Sequence, residues 1–127
     1  MEYVNLPEGY QTVMPYLILK NAQGFIKFTK DVFRAQEIQI IMRDDEVIMH
    51  GEITIGGSVI MFAEQSEEFG VQNAGLFVYL DNCDKTYEVA LANGATTIME
   101  PADQNYGRSA GIKDPFGNIW WLTTAII

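Results

Sequence analysis

The chain has little cysteine, few basic residues and no long apolar run. Its one cysteine, Cys83, has no partner for an internal disulfide, which favours a reducing compartment. Eight Lys and Arg against 17 Asp and Glu leave a formal net charge of −9, which repels phosphate backbones. Apolar runs such as PYLIL and VIMFA are far shorter than the ~20 residues of a membrane span. We therefore expect a cytoplasmic protein with no nucleic-acid partner and no membrane contact.

The composition is typical of a globular protein. Hydrophobic residues make up 48% of the 127 positions and charged residues 20%, without low-complexity tracts. A chain of this length can bury a core without disulfides. We expect one domain over residues 1–127.

A strand-turn-helix pattern occurs twice in the chain. YLILKN at 16–21 and FVYLDN at 77–82 each lead from an apolar strand into an amphipathic stretch, with Asn21 as candidate N-cap of the first helix and Asn82 or Asp81 as that of the second. Three further strands follow each helix. The sequence therefore predicts an α+β fold of two β-α-β-β-β modules, at about 10–66 and 72–126. They are expected to form a curved eight-stranded mixed sheet with helices on the outer face.

Strand alternation divides the predicted hairpin around Gly56-Gly57 into two faces. A two-residue turn pairs Ile53 with Ile60 and Glu52 with Met61. One face then belongs to the core and the other to a concave cup. The predicted core residues are Met49, Ile53, Ile55, Ile60 and Phe62. His50 and Glu52 lie on the cup face.

Adjacent Trp120 and Trp121 must point to opposite faces of the last strand. We assign Trp120 to the core and Trp121 to the cup wall. The same alternation turns Tyr16, Phe77 and Tyr79 toward the cup. Four aromatic side chains there would suit stacking on a planar or cationic ligand.

The polar candidates leave alternatives open. His50 and Glu52 suit general acid–base catalysis, hydrogen bonding to a ligand, or a purely structural polar pair. Tyr106 and Arg108 lie in NYGRSAG. If Ala110 pairs with Trp121, Arg108 lies on the cup face, where it would clamp an anion or neutralise surplus acidic groups.

The segments PYLILKNAQGFIKFTKDVF, MHGEITIGGSVIMFAE and DPFGNIWWL resemble the glyoxalase/bleomycin-resistance/dioxygenase group, the vicinal oxygen chelate superfamily. The resemblance covers about residues 10–125 and extends most specifically to a subfamily of small bacterial proteins. It implies the same repeated fold and a homodimer. One such fold hosts many chemistries.

The resemblance also implies four metal-ligand positions. They fall on Met14, Met61, Gly75 and Trp121, none of which offers an oxygen or imidazole nitrogen. We therefore expect no metal and no cofactor. The resemblance then favours a metal-independent binding protein that sequesters an aromatic or cationic antibiotic.

Two other readings stay open. One is a glyoxalase-like lyase or isomerase that uses His50 and Glu52, and the other is a scaffold for a protein partner. The predicted ligand-binding residues are Tyr16, His50, Glu52, Phe77, Tyr79, Tyr106, Arg108 and Trp121.

Overall fold

A computed structural model describes residues 4–126 and contains the predicted element order twice. The first module consists of β1 (Tyr16–Leu19), α1 (Ala22–Phe33), β2 (Gln36–Met42), β3 (Ile48–Ile55) and β4 (Ser58–Glu64). The second consists of β5 (Gly75–Tyr79), α2 (Cys83–Ala92), β6 (Thr96–Gln104), β7 (Gly107–Lys113) and β8 (Ile119–Ala125). The α+β class with two β-α-β-β-β modules is confirmed. Within residues 4–126, neither helix has the length and apolarity needed to cross a membrane.

The eight strands form two four-stranded mixed sheets with equivalent topology. The strand order is β1-β4-β3-β2 in the first and β5-β8-β7-β6 in the second, with β1·β4 and β5·β8 parallel. The chain divides into two compact units. Unit 1 contains residues 4–30 and 34–72, and unit 2 contains residues 31–33 and 73–126. That both belong to one domain stays a prediction.

The start of α1 is fixed by two side chains. The Asn21 side chain accepts from the backbone N–H of Gly24 at 3.0 Å, as expected of an N-cap. Glu64, at the end of β4, accepts from the backbone N–H groups of Asn21 at 3.0 Å and Ala22 at 2.8 Å. These bonds satisfy N–H groups that have no partner inside the helix and tie α1 to β4.

Helix α1 packs on the sheet of unit 1 through aromatic rings. The ring centroids of Phe25 and Phe62 are 5.1 Å apart in an edge contact, and both side chains are buried. The Phe62 ring lies directly over Gly51, where an added Cβ would be 2.5 Å from it. This face carries the core of unit 1, as predicted.

Trp120 lies in the core of unit 2, where α2 packs on β6, β7 and β8. Its indole N–H donates to Oδ2 of Asp114 at 2.9 Å, and both residues are buried. The core assignment of Trp120 is confirmed. Asp114, which lies between β7 and β8, therefore hydrogen-bonds a side chain of the core.

The predicted hairpin register is confirmed, but the prediction that Met49 belongs to the core is wrong. Ile53 pairs with Ile60 and Glu52 with Met61, whereas Met49 is 51% exposed and Ile48 is buried. Along β2, Ile41 pairs with His50 and the next residue pairs with Ile48, so Met49 is an extra residue in β3. A bulge of this kind interrupts strict alternation.

Candidate functional site

Four polar side chains of unit 1 form a continuous hydrogen-bonded chain, here called the tyrosine–histidine chain. The Tyr10 hydroxyl donates to Oε1 of Glu52. Oε2 of Glu52 lies 2.6 Å from Nε2 of His50, and Nδ1 of His50 lies 3.1 Å from the hydroxyl of Tyr16. Parallel pairing of β1 with β4, and antiparallel pairing of β4 with β3, bring Tyr16 to the same sheet as His50 and Glu52. The structure thus brings these three predicted site residues together.

The inner end of the chain is buried and charged. Glu52 is 4% exposed. Burial works against its ionisation, but hydrogen bonds from Tyr10 and His50, together with the attraction of His50, outweigh burial and lower the pKa of Glu52. The bond to Glu52 raises the pKa of Tyr10, with burial and the carboxylate charge adding to it. Glu52 is therefore held as a carboxylate at neutral pH.

The outer end of the chain faces a cavity. Tyr16 is 48% exposed and lies in the wall of a cavity of about 550 Å³ within unit 1. This volume lies within the range of small-molecule sites. The lining residues are Tyr16, Ile18, Arg43, Met49, Ala63, Glu64, Ser66, Glu68 and Phe69. A mostly apolar wall with a few polar groups is the usual composition of a ligand pocket.

Unit 2 carries the other predicted aromatic residues. The ring centroid of Phe77 lies 5.2 Å from that of Tyr79 and 6.5 Å from that of Tyr106. All three side chains are more than half exposed. Phe77 on β5 is also the register partner of Trp121 on β8, which is half-buried. We call these four residues the aromatic group of unit 2.

The prediction that Arg108 lies on the cup face of its strand is wrong. The partner of Trp121 on β7 is Gly111 rather than Ala110, so every side chain of β7 lies on the face opposite to the one expected. Arg108 consequently contacts Asp84 near the start of α2, with Nε to Oδ1 at 2.9 Å and Nη2 to Oδ2 at 3.1 Å. It also reaches Asp103 at 3.3 Å.

These contacts engage the guanidinium group within unit 2. The hydrogen bond from Arg108 lowers the pKa of Asp84, and the same bond raises the pKa of Arg108. Arg108 therefore neutralises acidic side chains on the helix-bearing face, which was the other interpretation of this residue.

The residues at the family's metal-ligand positions do not fit a divalent ion. In unit 1, Met14 precedes β1 and Met61 is the register partner of Tyr16, so both positions offer thioethers. In unit 2, Gly75 has no side chain and Trp121 has no side-chain lone pair to donate. Within residues 4–126, no group of three or more His, Cys, Asp or Glu side chains is arranged to hold a metal ion.

Sequence reasoning missed Tyr10. It lies in an irregular segment, where no periodicity predicts a contact 42 positions away. The neighbouring Gln11 explains how the segment is held, because its side-chain amide bonds both the carbonyl and the N–H of Val59 on β4. This segment is therefore tied to β3 through Glu52 and to β4 through Val59.

A family model described as the Glyoxalase/Bleomycin resistance protein/Dioxygenase superfamily matches residues 11–122 of this chain. Uncharacterized protein Rv0887c from Mycobacterium tuberculosis (strain ATCC 25618 / H37Rv) is 25% identical over 120 residues, which cover 85% of this chain and 71% of that protein.

Two solved structures share the fold. A glyoxalase/bleomycin resistance protein/dioxygenase family enzyme from Burkholderia phytofirmans PsJN is 25% identical with a TM-score of 0.66, over 87% of this chain and 95% of that one. The fosfomycin resistance protein FosX from Mesorhizobium loti is 17% identical with a TM-score of 0.66, over 96% of each chain.

Proposed function

The chain belongs to the glyoxalase/bleomycin resistance protein/dioxygenase superfamily, and within it we propose that it is a metal-independent binding protein for a small, partly aromatic molecule. The observation that carries this proposal is the tyrosine–histidine chain, which ends at Tyr16, a residue in the wall of a largely apolar cavity of about 550 Å³. The apolar wall would bury the body of the ligand and the hydroxyl would orient it. Metal independence is supported by the donor chemistry at Met14, Met61, Gly75 and Trp121.

The ligand class in this proposal is an aromatic or cationic antibiotic, or a toxic compound of similar build. The superfamily description includes bleomycin resistance. The aromatic group of unit 2 is a separate candidate surface for a ligand of this class, since stacked aromatic pairs contribute about 0.5–1.5 kcal/mol beyond burial. The net charge of −9 favours a cation. The proposal also includes a cytoplasmic location, which the composition favours, and a homodimer, which the family resemblance implies.

A second candidate function is supported by the short contact between His50 and Glu52. A carboxylate that orients an imidazole is the arrangement used for general acid–base catalysis. In an enzyme of the glyoxalase type without a metal, His50 would move a proton through Tyr16, because Tyr16 occupies its Nδ1 atom. This reading predicts turnover of the ligand, and the binding reading predicts its recovery unchanged.

Calorimetric titration with bleomycin and with proflavine tests the proposal. We expect saturable binding of at least one of them, weakened by Tyr16→Ala and unaffected by prior dialysis against a chelator. Tyr87→Ala is the matched control, because Tyr87 lies on α2 and bonds Thr97. Loss of binding after chelation would contradict metal independence. A chemically altered ligand recovered from the mixture would favour the enzyme.

A further inference from the structure

The hydrogen atoms of the tyrosine–histidine chain can be assigned from its buried end. An ionised carboxylate only accepts hydrogen bonds, so Glu52 must receive a proton donor at each oxygen. Tyr10 supplies one to Oε1. His50 supplies the other through Nε2, which is 2.6 Å from Oε2. The proton of the neutral imidazole is therefore on Nε2.

This assignment determines the role of the next bond. With its proton on Nε2, neutral His50 has only a lone pair at Nδ1, and Nδ1 accepts. The Tyr16 hydroxyl, 3.1 Å away, is therefore the donor. Its single hydrogen is used in this bond, and only the lone pairs of its oxygen remain for a ligand.

The surroundings agree with a ligand that brings its own donor. Of the charged side chains that line the cavity, two are acidic, Glu64 and Glu68, and one is basic, Arg43. Ile18, Met49, Ala63 and Phe69 form the apolar part of the wall. An apolar body with an N–H or O–H group would complement both parts.

We propose that, while His50 is neutral, the Tyr16 hydroxyl is a fixed hydrogen-bond acceptor that makes this cavity select ligands with an N–H or O–H donor on an apolar body. The selection rests on the proposed binding function and specifies which ligands that function serves. His50 and Glu52 act as positioning residues, because they determine the direction of the bond without touching the ligand.

The tautomer is tested first, without any ligand. His50 is the only histidine in the chain, so long-range ¹H–¹⁵N spectra contain the signals of one imidazole. The pH is raised until these spectra no longer change. At that alkaline end we expect a protonated Nε2 and an unprotonated Nδ1. Tyr16→Phe should shift the Nδ1 signal, and Tyr87→Phe should leave it unchanged. A neutral imidazole protonated at Nδ1 would overturn the proposal.

Selectivity is tested with two probes of the same charge and ring. Naphthylmethylammonium has N–H donors, whereas naphthylmethyl-trimethylammonium has none. By chemical-shift titration at a pH where His50 is neutral, we expect the first to bind about ten- to a hundredfold more tightly, the usual range for one hydrogen bond to a charged group. Tyr16→Phe keeps the ring and should abolish the difference.

Glu52→Gln gives a further variant for the same titration. Its amide can donate to Nε2 and so permits the opposite tautomer, which should reduce the preference for the ammonium probe. Equal affinity of both probes in the unsubstituted protein, or a preference that survives Tyr16→Phe, would overturn the selection while leaving ligand binding intact. Failure of both probes to bind this cavity would overturn the binding function together with the selection.

Discussion

The indole ring of Trp121 lies on the backbone of Gly111, its register partner on β7. A Cβ at position 111 would be 2.6 Å from Cζ3 of that ring. Gly111 is therefore required by the position of the neighbouring side chain, because its φ angle is not in the left-handed region.

Gly111→Ala is expected to displace the Trp121 ring and to destabilise the protein by about 1–3 kcal/mol, as overpacking does. The free energy of unfolding in urea measures the cost, and near-ultraviolet circular dichroism reports the ring. Gly75→Ala is the control, since a Cβ there meets nothing within 4 Å. Equal stability of the two variants would contradict the placement of Trp121.

Asp114→Asn should destabilise unit 2. Each carboxylate oxygen of Asp114 accepts two hydrogen bonds at 2.9 Å. Oδ1 accepts from the backbone N–H groups of Phe116 and Asn118, and Oδ2 accepts from the side chains of Asn118 and Trp120. An amide places an NH₂ group against two of these donors. We expect a loss of about 1.5–3 kcal/mol in the free energy of unfolding, the range for hydrogen bonds to charged groups.

The control for this substitution is Asp103→Asn. The Asp103 side chain is 87% exposed and makes one ion pair with Arg108, so its loss should cost at most about 1 kcal/mol. The prediction for Asp114 fails if the two variants unfold at the same urea concentration.

Glu52 should make stability depend on pH on the acid side. Its pKa is lower in the folded protein than in the unfolded chain, so the unfolded chain binds a proton first as the pH falls. The stabilisation by Glu52 is thus present above the ordinary glutamate pKa and is lost as the pH falls through the lowered value. Urea unfolding from about pH 7 to about pH 3 should give a shallower decline for Glu52→Gln than for the unsubstituted protein.

Tyr10→Phe should have a smaller effect in the same direction, because it removes one of the two hydrogen bonds that lower the Glu52 pKa. Glu67→Gln removes one exposed carboxylate and should leave the shape of the curve unchanged. Superimposable curves for Glu52→Gln and Glu67→Gln would refute the role of the buried carboxylate.

Arg108→Gln should leave ligand affinity unchanged. The guanidinium group bonds Asp84 and Asp103 in unit 2, and the proposed cavity lies in unit 1. Exposed ion pairs of this kind contribute little to stability, so a small decrease in melting temperature is expected. Calorimetric titration with the ligand that binds the unsubstituted protein checks the affinity. A several-fold weaker affinity would restore Arg108 as a binding residue.

Local signals predicted most of the fold. Three strands follow each helix as expected, Asn21 and Asn82 cap their helices, and the Gly56-Gly57 turn sets the β3·β4 register. Each of these features depends on residues close in sequence. The Asn caps and the tight turn depend only on neighbouring residues, so they can be predicted from a single sequence.

The errors at the candidate site have two physical causes. Arg108 was assigned to the wrong face because the β7·β8 register is one residue away from the one assumed, and a shift of one residue exchanges the faces. Tyr10 was missed because its partner is set by the path of an irregular segment. His50 and Glu52 were identified because both lie on one strand two positions apart, where alternation holds.

The extra residue in β3 determines what the cavity wall is made of. Deleting Met49 would restore strict alternation, keep Ile48 in the core and remove the flexible thioether from the cavity wall that contains Tyr16. Substitution scanning changes one side chain at a time and never samples that deletion. Relatives that gain or lose a single residue at this point would therefore differ in ligand preference even where their side chains match.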